Sequence, residues 1–139
     1  MNKGGVINLT LYRGRDKFMR AEMSLMVPDR IAEILKQYTN DIRELYGEDL
    51  DSVILFGSYA RGDYTEESDI DIMIMVNISE VEAKKYFNRL NEITYNYDLY
   101  NDIMLMPIVK NKEHFLEWVG CYPFYNSIDR EGIKIYESV

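Results

Sequence analysis

Asp69 and Asp71 stand one residue apart at the start of Ile70-Asp71-Ile72-Met73-Ile74-Met75-Val76, an apolar run rich in β-branched residues that reads as a strand. Side chains two apart on a strand project to the same face. Two carboxylates on one face repel, and each raises the pKa of the other unless a cation sits between them. A divalent metal resolves that conflict, and hard oxygen ligands favour magnesium or manganese. Upstream, a second apolar run, Val53-Ile54-Leu55-Phe56, leads into Gly57-Ser58 and Arg61. Gly57 lets a backbone approach a ligand closely. Ser58 adds a hydroxyl and an amide, and Arg61 a fixed positive charge. Phosphate donors at one end and metal ligands at the other describe a nucleoside triphosphate site. Each part alone is ordinary: a Gly-Ser is usually a turn, two Asp at a strand start are usually solvated or capping, and a lone Arg is a surface charge. Only the combination carries information.

That combination, Gly57-Ser58, ten residues, then Asp69-x-Asp71, resembles the signature of the polymerase-beta-like nucleotidyltransferases. The fuller string GSYARGDYTEESDIDIMIMV, residues 57–76, resembles the minimal nucleotidyltransferases (MNT), the partners of HEPN proteins in prokaryotic toxin–antitoxin pairs. The resemblance implies an α/β (α+β) fold of polymerase-beta-like type, a small mixed sheet flanked by helices. It implies a nucleotidyl transfer in which Asp69 and Asp71 hold two magnesium ions, with manganese as a substitute, and Gly57 and Ser58 grip the β- and γ-phosphates. A third carboxylate, matched by Asp102, is implied to hold the metal that activates the nucleophile and could take the nucleophile's proton. Arg61 either offsets charge on the leaving pyrophosphate or braces the loop. Ser68 is expected to orient the two acids by hydrogen bonding. ATP as donor, and a tyrosine of a HEPN RNase toxin as acceptor of AMP, likewise come from the resemblance.

Larger relatives append a helical domain that helps bind nucleotide and acceptor, and no room for one follows residue 110, so a partner is expected to complete the acceptor side. Two alternatives stay open. One is an antitoxin that works by binding alone; the complete carboxylate set speaks against it. The other is a small-molecule nucleotidyltransferase of the aminoglycoside-modifying type; the missing helical domain speaks against that.

Composition narrows the field. A chain of 139 residues suffices for one core, and 47% apolar residues make it globular. A formal charge of −8 removes the sequence-independent attraction to phosphate backbones, so no direct grip on a nucleic acid is expected. Cys121 is the only cysteine and suits a reducing cytosol; with one His beside it, a zinc site is improbable. No apolar stretch approaches the ~20 residues that span a bilayer, and no signal-peptide pattern opens the chain, so a cytoplasmic protein without membrane partners is expected.

The elements that must position these residues follow from periodicity. Residues 1–27 carry five Lys and Arg against two Asp and Glu and show no helical stripe; they read as a weakly ordered N-terminal extension, with Val6 to Tyr12 as a candidate edge strand. The minimal nucleotidyltransferase domain is then 28–139. Ile31, Ile34, Leu35, Tyr38, Ile42 and Leu45 predict a helix over 28–46, started by Pro28 and stopped by Gly47. Asp49 to Ser52 read as a polar turn. In the strand over 70–76, Ile70, Ile72, Ile74 and Val76 share one face and Asp69, Asp71, Met73 and Met75 the other, so both faces are covered.

Ser79 and Glu82 predict a capped helix over 80–96 with Val81, Phe87, Leu90 and Ile93 as its stripe. A third strand over 101–106, ended by Pro107, would set Asp102 with Met104 and Met106 on one face. Asn111 would cap a helix from Lys112, with His114 an exposed or packed residue of it rather than a catalyst. Pro123 to Arg130 restart a helix, and Ile133 to Tyr136 form a last strand. Among twelve tyrosines, Tyr59 in the loop is the best candidate for nucleotide contact.

Overall fold

The computed structural model describes residues 11–13, 16–18 and 27–138. Helix α1 runs Asp29–Tyr46, with Asp29 in its first turn and Gly47 at φ 58° as its cap, and it buries the predicted stripe except Leu45, which is half-buried. Strand β3 is Leu50–Phe56, so of the expected polar turn at 49–52 only Asp49 precedes the strand, and Ser52 is buried. A one-turn helix α2, Ser58–Arg61, follows it. Strand β4 occupies Ile70–Val76, as expected.

The expected helix over 80–96 is longer and broken. It comprises α3, Glu80–Ala83, a 3₁₀ turn over Lys84–Tyr86, and α4, Phe87–Asn101. Ser79 and Glu82 make the predicted reciprocal cap. The tighter 3₁₀ turn changes the angular phase of the stripe. Leu90 and Ile93 are buried, whereas Val81 and Phe87 are exposed. Strand β5, Leu105–Asn111, precedes α5, Lys112–Trp118, capped by Asn111, and α6, Pro123–Glu131. Strand β6 is Ile133–Glu137. Two short strands, β1 (Leu11–Arg13) and β2 (Asp16–Phe18), lie within the N-terminal segment. Most of the candidate edge strand at 6–12 lies outside the described residues.

The sheet order is β2-β1-β6-β3-β4-β5. Among the described residues only β4 and β5 pair in parallel; the other pairings are antiparallel, giving the mixed α/β sheet expected. One face packs Ile70, Ile72, Ile74 and Val76 against α1 and α4, and the other packs Met73 and Met75 against Phe115, Tyr125 and Ile128. Two hydroxyl contacts join α1 to α4: Tyr38 with Thr94 at 2.8 Å, and Tyr97 donating to Asp41 at 2.7 Å. The alternation read along β4 therefore became two cores, and the acids stand where both stop.

Among the described residues the buried core begins at Val27. We expect a chain starting at Met26 to fold with a melting temperature within a few degrees of the full chain, because the short β1–β2 pair only extends one sheet edge. Loss of cooperative unfolding in that chain would show instead that the pair supports β6.

Candidate active site

The site forms at the sheet end where β3 stops and β4 starts. Phe56 of β3 pairs with Asp71 of β4, and Met106 of β5 pairs with Asp71 from the other side. The chain leaves β3 through Gly57, at φ 76° and ψ −154°, a conformation essentially reserved for glycine. The reason is Asp71: a Cβ on Gly57 would lie 2.2 Å from its Oδ2. The Asp71 carboxylate thus rests against the bare α-carbon of the loop. Ser58 begins α2, half-buried, and its carbonyl accepts from the Gly62 amide at 2.8 Å and the Asp63 amide at 3.2 Å, closing the turn.

Asp69 is exposed and Asp71 half-buried. Partial burial pushes the Asp71 pKa up, the Asp69 charge pushes it further, and Arg61 offsets part of this. These are two hard oxygen donors in mutual repulsion at the mouth of a packed strand, which is the donor set a divalent cation relieves. The chemistry of the pair therefore fits such an ion. Among the described residues, no group of three His, Cys, Asp or Glu side chains is gathered to hold one.

Asp102 accounts for the difference from the expected trio. It does not begin a strand: it ends α4 in the left-handed conformation, φ 53° and ψ 53°, its amide bonded to the Asp98 carbonyl. The strand starts three residues later because the Asp98 carboxylate accepts from the Leu105 amide at 2.9 Å, holding the turn open. Pro107, expected to end the strand, lies inside it, which β5 tolerates as the outer strand of the sheet. The residue beside Asp71 on the neighbouring strand is consequently Met106, not an acid. Asp102 is exposed and lines, with Asp69, a groove of about 290 Å³ that Arg30, Tyr59, Ser68 and Met104 complete.

A second groove, of about 240 Å³, lies on the other side of the loop and is lined by Phe56, Gly57, Arg61, Phe124, Ser127 and Glu131. Arg61 pairs with Asp63 at 3.3 Å and reaches Glu131 at 3.9 Å, so it braces the loop against α6 while facing the acids. Phe56 and Phe124 meet edge to face at 5.6 Å. Ser68 makes a different bond from the one expected: its hydroxyl accepts from the Thr65 amide at 2.8 Å, which shapes the loop leading to Asp69. Tyr59 is buried and stacks on Tyr64 at 4.4 Å, its phenol pKa raised by burial. His114 packs as expected, its Nδ1 3.0 Å from the Tyr125 hydroxyl.

Arg30, which periodicity did not single out, bonds the carbonyl of Asn101 and ties the start of α1 to the end of α4. A signal existed in the sequence. A cation in the first turn of a helix opposes that helix's dipole, but it is favourable at another helix's C-terminus.

Comparison with known proteins fits this geometry. The nucleotidyltransferase domain family matches residues 35–131. A protein of Methanocaldococcus jannaschii named "Putative protein adenylyltransferase MJ0141" is 45% identical over 82 residues, which are 59% of this chain and 81% of that protein. "Protein adenylyltransferase MntA" of Thermococcus cleftensis is 33% identical over 70 residues, 50% of this chain and 67% of that one. These relatives bear out the resemblance to minimal nucleotidyltransferases. A chain of the "Crystal structure of the toxin-antitoxin with AMP-PNP" is 17% identical, covering 71% of this chain and 73% of that one, at a TM-score of 0.44. No helix among the described residues is long and apolar enough to cross a membrane.

Proposed function

From the premise that this chain belongs to the nucleotidyltransferase domain family, we propose that it is a metal-dependent protein adenylyltransferase antitoxin, which moves AMP from ATP to a tyrosine hydroxyl of a HEPN-type RNase toxin. The observation that carries this reading is the packing of Asp71 on Gly57 beside Asp69, which joins the phosphate loop to the acid pair in one place. Gly57 and Ser58 seat the β- and γ-phosphates at the turn. Arg61, braced by Asp63, lies where it can offset charge on the departing pyrophosphate. Asp69 and Asp71 would hold magnesium, or manganese in its place. A metal bound there supplies charge neutralisation on the triphosphate and polarises its α-phosphoryl group.

The acceptor oxygen forms a bond to the α-phosphorus, and the bond from that phosphorus to the bridging oxygen breaks. Pyrophosphate leaves with the electron pair. The hydroxyl proton passes to Asp102 across the groove, and from there to water. Asp102 in this role faces the acceptor rather than completing a metal cage. We therefore expect Asp102→Asn to slow transfer by about 10²-fold, the low end for a positioned proton acceptor, and less than loss of either paired acid. An equal loss in all three variants would return Asp102 to the metal. The added phosphate would bring charge and bulk to a surface that must hold RNA, and so stop cleavage. A cytoplasmic setting suits ATP as donor and the exposed thiol of Cys121.

The test uses ATP labelled at the α- or the γ-phosphate, with the toxin as acceptor. Label from the α-position alone on the toxin supports the reading. An inhibited but unlabelled toxin would mean an antitoxin that acts by binding. Label passing to an aminoglycoside would mean a small-molecule enzyme.

A further inference from the structure

Asp71 and Asp69 are held by different means. Asp71 lies inside β4, paired with Phe56 on one side and Met106 on the other, and it rests on Gly57. Asp69 lies outside the strand, exposed, at the end of the loop that leaves α2 at Gly62. Where its carboxylate stands relative to Asp71 and Ser58 is therefore set by how that loop is tied down.

From Asp63 through Asp69, only Tyr64 and Ser68 are withdrawn from solvent, each half-buried. Ser68 is engaged within the loop itself. Its hydroxyl accepts from the Thr65 amide, its own amide donates to the Thr65 carbonyl at 3.1 Å, and the Glu67 amide donates to the Thr65 hydroxyl at 3.3 Å. These bonds make residues 65–68 one unit, but none of them reaches the body of the protein. Tyr64 does reach it. Its ring lies face to face on Tyr59, with 4.4 Å between centroids and 10° between planes. Tyr59 is 6% exposed, belongs to the core that packs α1 against the sheet, and follows Ser58 directly in α2. The stack thus joins the turn that begins at Ser58 to the loop that ends at Asp69. Aromatic rings, with few rotatable bonds, hold such a contact at low entropic cost.

We propose that Tyr64 is a positioning residue for Asp69: its stack on Tyr59 fixes the loop so that the Asp69 carboxylate stands with Asp71 as one site for a divalent cation. The inference rests on the reading of the two acids as cation ligands.

The probe is manganese ion alone. Its binding to the full chain is followed by electron paramagnetic resonance of the free ion, beside melting temperature in EDTA and transfer of α-label from ATP. Tyr64→Ala is expected to raise the Kd for manganese about tenfold, the low end for losing a group that orients a metal ligand. The metal concentration for half-maximal transfer should rise by the same factor, and excess manganese should restore most of the transfer. The melting temperature in EDTA should stay within a few degrees, because Tyr64 only borders the core. Tyr64→Phe, which keeps the ring and drops the hydroxyl, should match the natural chain in all three measurements. Tyr64→Leu, which keeps apolar bulk over Tyr59 without a flat ring, should fall between them, and it carries the test where alanine destabilises too far. Variants that melt lower yet bind manganese as the natural chain does would make Tyr64 structural only and overturn the inference. Tyr64→Phe failing as Tyr64→Ala does would assign the effect to the phenol hydroxyl and overturn the stack. A natural chain that binds no manganese would overturn the reading of the acids as cation ligands, and this inference with it.

Discussion

The double substitution Asp69→Asn and Asp71→Asn is expected to reduce nucleotidyl transfer by at least about 10³-fold, the upper range lost when one transition-state donor is removed from an active site, while leaving the fold intact. The fold should survive because Asp69 is exposed, Asp71 is half-buried, and the cores on both sheet faces are built from the residues that follow them.

The same variant carries a signature in stability that a purely structural pair would not give. Burial and the Asp69 charge hold the Asp71 pKa above its ordinary value, so the folded chain binds that proton more tightly than the unfolded chain does. Stability must then fall as pH rises from the ordinary carboxylate range through the pKa of folded Asp71. In chelator at neutral pH the asparagine variant should therefore melt above the natural chain. The difference should vanish near pH 3, below the ordinary aspartate pKa of about 3.9. Melting curves in EDTA at the two pH values, beside labelled transfer in magnesium, decide the matter. Retained transfer would remove the acids from the chemistry, and a collapsed fold would make them structural.

Gly57→Ala should come close to the acid variant in lost transfer, although it removes no functional group. The new Cβ would sit 2.2 Å from Asp71 Oδ2, and no alanine adopts φ 76° with ψ −154° without strain. Either the loop turns away or the carboxylate moves, and in both cases the Gly57-Ser58 turn parts from the acid pair. Displacement of this kind costs about 10²-fold even at 1 Å. The strained backbone should cost roughly 1–3 kcal/mol of stability. Gly62→Ala is the matched control, at φ 88° with nothing within 4 Å of its would-be Cβ. It should show a comparable loss of stability with transfer largely preserved. If the two variants lose transfer equally, loop strain rather than the Asp71 contact explains the effect.

The acid spacing, the Gly-Ser turn and the β4 alternation were legible in the sequence because each depends on positions a few residues apart. A strand repeats every two residues and a helix every 3.6 wherever it lies in the fold. Ile70 to Val76 and Ile31 to Ile42 therefore declared their faces unaided, and the signature over 57–76 pointed to the family before any packing was known. The position of Asp102 was not legible. Asn101-Asp102 reads as a strand start because Ile103-Met104-Leu105-Met106 follows it, whereas the strand begins at Leu105, its amide held by the Asp98 carboxylate, and β5 at the sheet edge admits Pro107. Val81 and Phe87 turned outward because a 3₁₀ turn intervened, which an assumed 3.6-residue period could not register. Arg30 reached the groove only because α1 and α4 pack side by side. The sequence by itself determined which chemistry the chain carries. The tertiary structure decided that Asp71 lies on Gly57, that Met106 rather than an acid stands beside it, and that Asp102 lines a groove with Asp69, because contacts between residues far apart in the chain depend on how the sheet is ordered.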